Sequence, residues 1–211
     1  CIWDVRDRIG PSILSKKNHK GHVNCLQWSY KCNHEILSGS SNGEVCLWDF
    51  RKMDDSVCRI QIGLADVDEK ETKSADDDLS EDSQSENAIT SLEFDKLNSK
   101  LIRIGTGNGR VIFANKNEIE EEIKCHESSI SSVTQNWASY KCILTIDSSD
   151  VKIWGENMKG DPIFSMSSID KEFCCGMWSL TRYSRFFIGK KDGTIQLWDL
   201  TFDHNEPYFS L

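Results

Sequence analysis

The chain has 211 residues, 38% of them hydrophobic and 28% charged, with a net charge of −9. That is enough chain to bury a core, and no apolar run reaches the 18 residues that a membrane-spanning helix needs. The acidic balance excludes a broad basic surface for nucleic acid, and nine cysteines without a C-x-x-C pair read as reduced, buried thiols rather than metal ligands.

In chain order, the first predicted element is CIWD (1–4), a strand end carrying the pair Trp3-Asp4. Three strands follow: VNCLQWS (23–29), EILSGSS (35–41) and EVCLWDF (44–50), with CRIQIG (58–63) as a fourth. Residues 65–87 then hold ten Asp or Glu against two Lys, a net −8 of the chain's −9. With no aromatic or proline and little to bury, this stretch is expected to be disordered. The strand pattern resumes with AITSLEF (88–94), LIRIGTG (101–107), RVIFANK (110–116) and EIEEEIK (118–124). It repeats as ISSVTQNW (130–137), CILTIDS (142–148), DVKIWGE (150–156) and PIFSMSS (162–168), and again as FCCGMWS (173–179), FFIGKKD (186–192) and TIQLWDL (194–200).

All seven tryptophans fall in this pattern. Trp28, Trp137 and Trp178 are read as ending first strands, where the second repeat has Phe94. Trp3, Trp48, Trp154 and Trp198 end third strands, where the second repeat has Ala114. Third-strand positions 3, 48, 114, 154 and 198 are 45, 66, 40 and 44 residues apart, and the 23 acidic residues account for the one long interval. A period of about 40–45 residues with four strands per unit is that of WD40 propellers. The expected fold is all-β, a WD40 β-propeller with four recognisable blades plus the remnant of a preceding one, forming an open arc or a strained ring. Residues 1–64 would hold the remnant strand and the first full repeat, 65–87 the acidic insertion, and 88–211 three further repeats of the same propeller.

The physical roles follow from the repeat. A four-stranded sheet is too small to stand alone and is stabilised by packing on its neighbours. Each third-strand Trp offers apolar bulk and an N–H that needs a partner. The Asp after it (Asp4, Asp49, Asp199) can accept backbone N–H groups in the next turn, and Asp192 can do so in a hairpin turn. His22, in KGHVNCL, is expected to make a buried hydrogen bond within its blade, and His126 takes a similar place in the third repeat. GTGNGR (105–110) lies between two strands and reads as a hairpin turn, not a phosphate loop. No nucleophile elbow, zincin or Walker motif is present, so no catalytic residue, cofactor or metal is expected. Arg182, Arg185, Lys190 and Lys191 would lie at opposite ends of a strand and not form one patch. Ser74 and Ser83 each have an acid three positions on (Asp77, Glu86), which suits an acid-directed kinase.

One block is more specific. DVKIWGENMKGDPIFSM (150–166) and GMWSLTRYSRFFIGKKDGTIQLWDLTFDHNEPY (176–208) resemble the WD40 region of dynein intermediate chains, most closely that of axonemal inner-arm dynein. Tyr183 stands where that family has proline, and HNEP (204–207) where it often has H-E-P. The resemblance implies a non-enzymatic scaffold in the cytoplasm, on the cytoskeleton of the ciliary axoneme. Its partners would be a dynein heavy chain and other intermediate and light chains, with no nucleic acid, membrane or small-molecule substrate. The alternative is a generic WD40 adaptor, for instance a ubiquitin-ligase substrate receptor.

Overall fold

The computed structural model describes residues 19–51, 58–62, 86–115, 118–139, 141–155, 158, 160–170, 172–202 and 205–211. The candidates Trp3, Asp4, Ser74 and Ser83 lie outside these residues, as does nearly all of the acidic stretch.

Four antiparallel sheets follow one another, each a meander of four strands in sequence order. The first blade contains β1 (Val23–Trp28), β2 (Glu35–Ser40), β3 (Glu44–Asp49) and β4 (Cys58–Gln61). The second contains β5 (Ile89–Phe94), β6 (Leu101–Thr106), β7 (Arg110–Asn115) and β8 (Ile119–Lys124). The third contains β9 (Ser132–Gln135), β10 (Ile143–Ile146), β11 (Asp150–Trp154) and β12 (Phe164–Ser167). The fourth contains β13 (Phe173–Trp178), β14 (Arg185–Lys190), β15 (Ile195–Asp199) and β16 (Phe209–Ser210). This is the expected all-β propeller. The sequence offered no candidate for β16, a two-residue strand that pairs with β15 through Leu197 and Phe209.

The burial pattern explains the architecture. Second strands of the first three blades are covered on both faces (every residue of β10 is buried), whereas β14 is buried on one face and β8 is exposed to half-buried throughout. Each apolar cluster lies between blades. Leu37, Val45 and Leu47 meet Ile89, Leu92 and Phe94. Val111, Cys125 and Ile130 meet Ile143 and Trp154. Leu144, Ile146 and Ile153 meet Phe173, Phe186 and Trp198. The packing of first strands runs from β1 to β5 to β9 to β13, and among the described residues nothing of comparable extent joins β13 back to β1. Leu26 and Met177, which point away from the neighbouring blades by strand alternation, are exposed at the two ends of this arc.

Blades one, two and four share a register shift near the start of the first strand, between Val23 and Cys25, Ile89 and Ser91, and Phe173 and Cys175. A bulge there sharpens the twist of the inner strand at one fixed place in each sheet. The second strands of the same three blades carry a glycine at one register position (Gly39, Gly105, Gly189), where the third blade has Ile146. The extra bulk is accommodated across the interface. A Cβ on Gly176 of β13 would lie 2.1 Å from Ile146 Cδ1, so the missing glycine has in effect moved to the next blade. The cysteines only partly match expectation: Cys46 and Cys125 are buried, but Cys174 and Cys175 are exposed. They sit on the inner strand of the fourth blade, and among the described residues no further blade packs over them.

Candidate functional site

Two blades carry a polar chain beneath the third-strand indole. Trp154 Nε1 donates to Thr145 Oγ1 at 2.8 Å, and His126 Nε2 lies 2.8 Å from the same oxygen. His126 Nδ1 faces Asp147 at 3.6 Å, with both side chains fully buried. The first blade repeats this with different residues: Trp48 Nε1 donates to Ser38 Oγ at 2.7 Å, His19 Nε2 is 2.6 Å from that oxygen, and His19 Nδ1 is 3.4 Å from Glu44. One donor order fits both blades: indole N–H to hydroxyl, hydroxyl to Nε2, and Nδ1–H aimed at the carboxylate, although His126 Nδ1 is too far from Asp147 to hydrogen-bond it. Burial pushes His126 down to about 4 and also lowers His19, so both rings are neutral at neutral pH.

The histidine of the first blade is therefore His19, not His22. His22 is exposed, and its backbone N–H donates to Ser41 Oγ. The register gives the reason. His19 and His126 each stand six residues before one register position of the inner strand, Cys25 or Ser132, whereas His22 adjoins the start of β1 and faces solvent. His19→Ala is expected to destabilise the fold by about 1–3 kcal/mol, by leaving buried polar groups unmatched. His22→Ala should change stability by less than about 0.5 kcal/mol. Paired chemical denaturation curves check both.

The other two blades replace this chain with apolar contacts. Ile104 and Ile188 occupy the hydroxyl position in register. Ala114 replaces the indole in the second blade. In the fourth, Trp198 stacks on Phe186 with centroids 6.2 Å apart and touches Phe164 edge-on at 5.8 Å. The aspartates after the indoles fix turns: Asp49 accepts from Arg51 N at 3.0 Å and Asp199 from Thr201 N at 3.1 Å. Arg51 hydrogen bonds hold the Asp49 carboxyl well below the usual range. At Asp199, burial acts against ionisation but is outweighed by the Thr201 hydroxyl and Arg185 Nε, the latter at 2.6 Å. Asp192 is exposed and accepts Thr194 N–H at 2.8 Å in its hairpin turn.

One trio, His126, Asp147 and Asp150, brings possible ligand atoms within 4.8 Å of one another. Its oxygens are already engaged. Asp147 accepts from Ser128 Oγ and from the N–H groups of Ser149 and Asp150, and Lys152 Nζ stands 3.6 Å from Asp150. The arrangement closes a turn and orients a ring.

A second polar cluster, absent from the sequence reading, bridges the blades around Asp95. Asp95 accepts from Leu97 N and Asn98 N at 2.7 Å, from Gln135 Nε2 at 3.0 Å and from Arg103 Nη2. Glu93 accepts Gln135 N at 2.5 Å, and Lys96 Nζ lies 3.5 Å away. Burial raises the Glu93 carboxyl from 4.5 to about 7, partly offset by Lys96 and Arg103. The folded chain thus keeps a proton there that the unfolded chain releases, so this group weakens the fold as pH rises from 4.5 to 7.

Gln135 also corrects the strand end of the third blade. It pairs with Ile143 as Trp28 does with Ile36 and Trp178 with Phe186, so it, and not Trp137, occupies the strand-end position. Trp137 lies in the following turn. Its Nε1 donates to Ser179 O at 2.7 Å, and Asn136 Nδ2 donates to Tyr183 O at 2.7 Å, tying the third blade to the fourth. Lys96 N donates to Gln135 Oε1 at 2.8 Å, and Lys31 Nζ donates to the Leu97 carbonyl. Each turn between first and second strands is hydrogen-bonded to the adjoining blade. GTGNGR forms a hairpin turn with Gly109 at φ 80°, as expected. Arg185 and Lys190 stand at opposite ends of β14, paired with Asp199 and Glu172.

Comparison with known proteins agrees with this architecture. A WD-domain G-beta repeat model matches residues 11–49, and the model "Dynein axonemal intermediate chain 3 WD40 domain" matches residues 100–210. Mouse dynein axonemal intermediate chain 2 is 30% identical over 222 residues, covering 100% of this chain and 33% of its own length. The Chlamydomonas reinhardtii 70 kDa intermediate chain of the flagellar outer arm is 24% identical, covering 98% and 36%. Human dynein axonemal intermediate chain 3 is 24% identical, covering 98% and 26%. The chain spans about a third of the length of the curated relatives it matches. With four WD-type blades in register and a family model matching more than half of its residues, this chain belongs to the family of dynein axonemal intermediate chain WD40 domains.

Proposed function

We propose that this chain is the propeller part of a non-catalytic scaffold subunit of an axonemal dynein, binding the dynein heavy chain and supporting the motility of cilia or flagella. The observation that carries the reading is the match of residues 100–210 to the intermediate-chain family, combined with similarity along the chain to intermediate chains named as axonemal and flagellar. The described polar clusters fix turns and blade contacts, which suits a scaffold. On this reading the other intermediate and light chains are further partners, residues 65–87 are an acidic arm between residues 1–64 and 88–211, and Ser74 and Ser83 are phosphorylation sites on it.

Affinity purification of the full-length protein from ciliated cells, with quantitative mass spectrometry, is the test. Heavy chains should be recovered in near-stoichiometric amounts through a high-salt wash, and their identity would name the arm. Recovery of ubiquitin-ligase or other adaptor components without heavy chain would overturn the motor reading.

A further inference from the structure

The turns between first and second strands differ from the rest of the surface. Each presents a large apolar side chain to solvent: Tyr30, Leu97, Trp137, and in the fourth blade Leu180 with Tyr183. Each also carries an exposed cation: Lys31, Lys100, Lys141 and Arg182. The acid in these turns, Asp95, is buried and turned inward to cap its own turn. Outside the acidic stretch the chain is close to neutral, and these turns are locally positive. The opposite end of the sheets has small polar hairpins, Ser41-Asn42-Gly43, Gly107-Asn108-Gly109 and Lys191-Asp192-Gly193.

The four turns form one rim, because each is tied to the adjoining blade by the hydrogen bonds from Lys31, Lys96, Asn136 and Trp137 described above. The apolar groups are thus held by backbone contacts before any partner arrives, which lowers the ordering cost of binding. Among the described residues, exposed acids at this end, Glu118, Glu120, Asp161 and Glu206, lie in or beside the connections between third and fourth strands, outside the rim. In the fourth blade the rim opens into a groove of about 820 Å³, lined in part by Arg182, Tyr183, Phe202 and Tyr208.

We propose that this rim is a docking surface for an acidic segment of a partner protein that carries aromatic or aliphatic side chains at intervals. The cations select the charge and the exposed rings and leucines take the apolar anchors. The acidic stretch of this chain lacks the aromatics such an occupant would carry, and the described residues Ile62 and Ala88 on either side of it lie at the opposite end of the sheets. The inference rests on the scaffold reading but not on which subunit is bound.

The test uses full-length protein titrated into three labelled probes: a short peptide alternating acids with Leu and Phe, the same peptide with Lys for each acid, and a single-stranded RNA of equal length. The acidic peptide should bind best, and about tenfold more weakly as salt is raised from about 0.05 to 0.3 M. Lys100→Glu with Arg182→Glu should weaken it about tenfold or more. Lys191→Glu, in the opposite hairpin, should change it less than about twofold. All three side chains are exposed, and unchanged melting temperatures will exclude misfolding. Equal binding of the lysine peptide or of RNA, or an equal loss in Lys191→Glu, overturns the proposal. Heavy-chain recovery is scored separately. Recovery by wild type without peptide discrimination rejects the rim and leaves the motor reading standing; discrimination without heavy chain does the reverse.

Discussion

Gly109→Ala is expected to destabilise the propeller by at least about 4 kcal/mol, whereas Gly193→Ala should cost only about 1–2 kcal/mol. The two glycines occupy the same hairpin turn in different blades, with φ of 80° and 89°. The penalty for a side chain at positive φ is therefore shared. What differs is the surroundings. Nothing lies within 4 Å of a Cβ built on Gly193, but one on Gly109 would lie 2.1 Å from the carbonyl oxygen of His126. That carbonyl belongs to backbone tied down by the bonds of Cys125 N and His126 N to Gly109 O, both 3.1 Å, so it cannot retreat without releasing them. His126 is also the ring under Trp154. A methyl group on Gly109 thus propagates into the polar chain of the third blade. Gly43→Ala should fall between, because its neighbour is Ile62 O at 2.7 Å. Urea denaturation of the three variants under one condition measures the order; equal losses would mean that backbone conformation alone decides.

Asp95→Ala is expected to cost about 3–5 kcal/mol, because it strands the buried Arg103 guanidinium. Asp95 serves four donors from its own turn, its own sheet and the next blade. Its loss would leave the Arg103 side chain, 8% exposed, with the ring of Phe113 at 5.9 Å and only the buried Glu93 carboxyl, raised to about 7, across the sheet. Arg103→Met alone should cost less, since Asp95 keeps two backbone N–H groups and the Gln135 amide. The double variant should be no worse than Asp95→Ala, because it removes the stranded charge. A double-mutant cycle on thermal or urea unfolding checks this, and strict additivity would sink the account.

The fold was legible because period and strand alternation are properties of sequence order. Trp48, Trp154 and Trp198 mark the third strands, and the hairpin glycines mark the turns between second and third strands. What was not legible depends on register between strands. His19 and His22 differ by three residues, and only a count back from a register position of the inner strand separates them. Trp137 was misplaced for the same reason: it mimics a strand-end aromatic, but Gln135 holds that position. The exchange of bulk between Ile146 and Gly176 joins residues 30 apart in different blades, so neither looks unusual alone. The cationic rim escaped notice because its lysines and arginine are scattered along the chain. The basic residues clustered near 182–191 are separated by the length of a strand.

Every apolar cluster of the described structure lies between two blades and none within one. A blade is therefore not a folding unit; an adjacent pair is. Stability in such an array passes from neighbour to neighbour, as in a one-dimensional lattice. The second and third blades each share in two clusters, the first and fourth in one. Among the described blades the second and third are held from both sides, and the Asp95 cluster, which couples them, sits where the lattice is hardest to break.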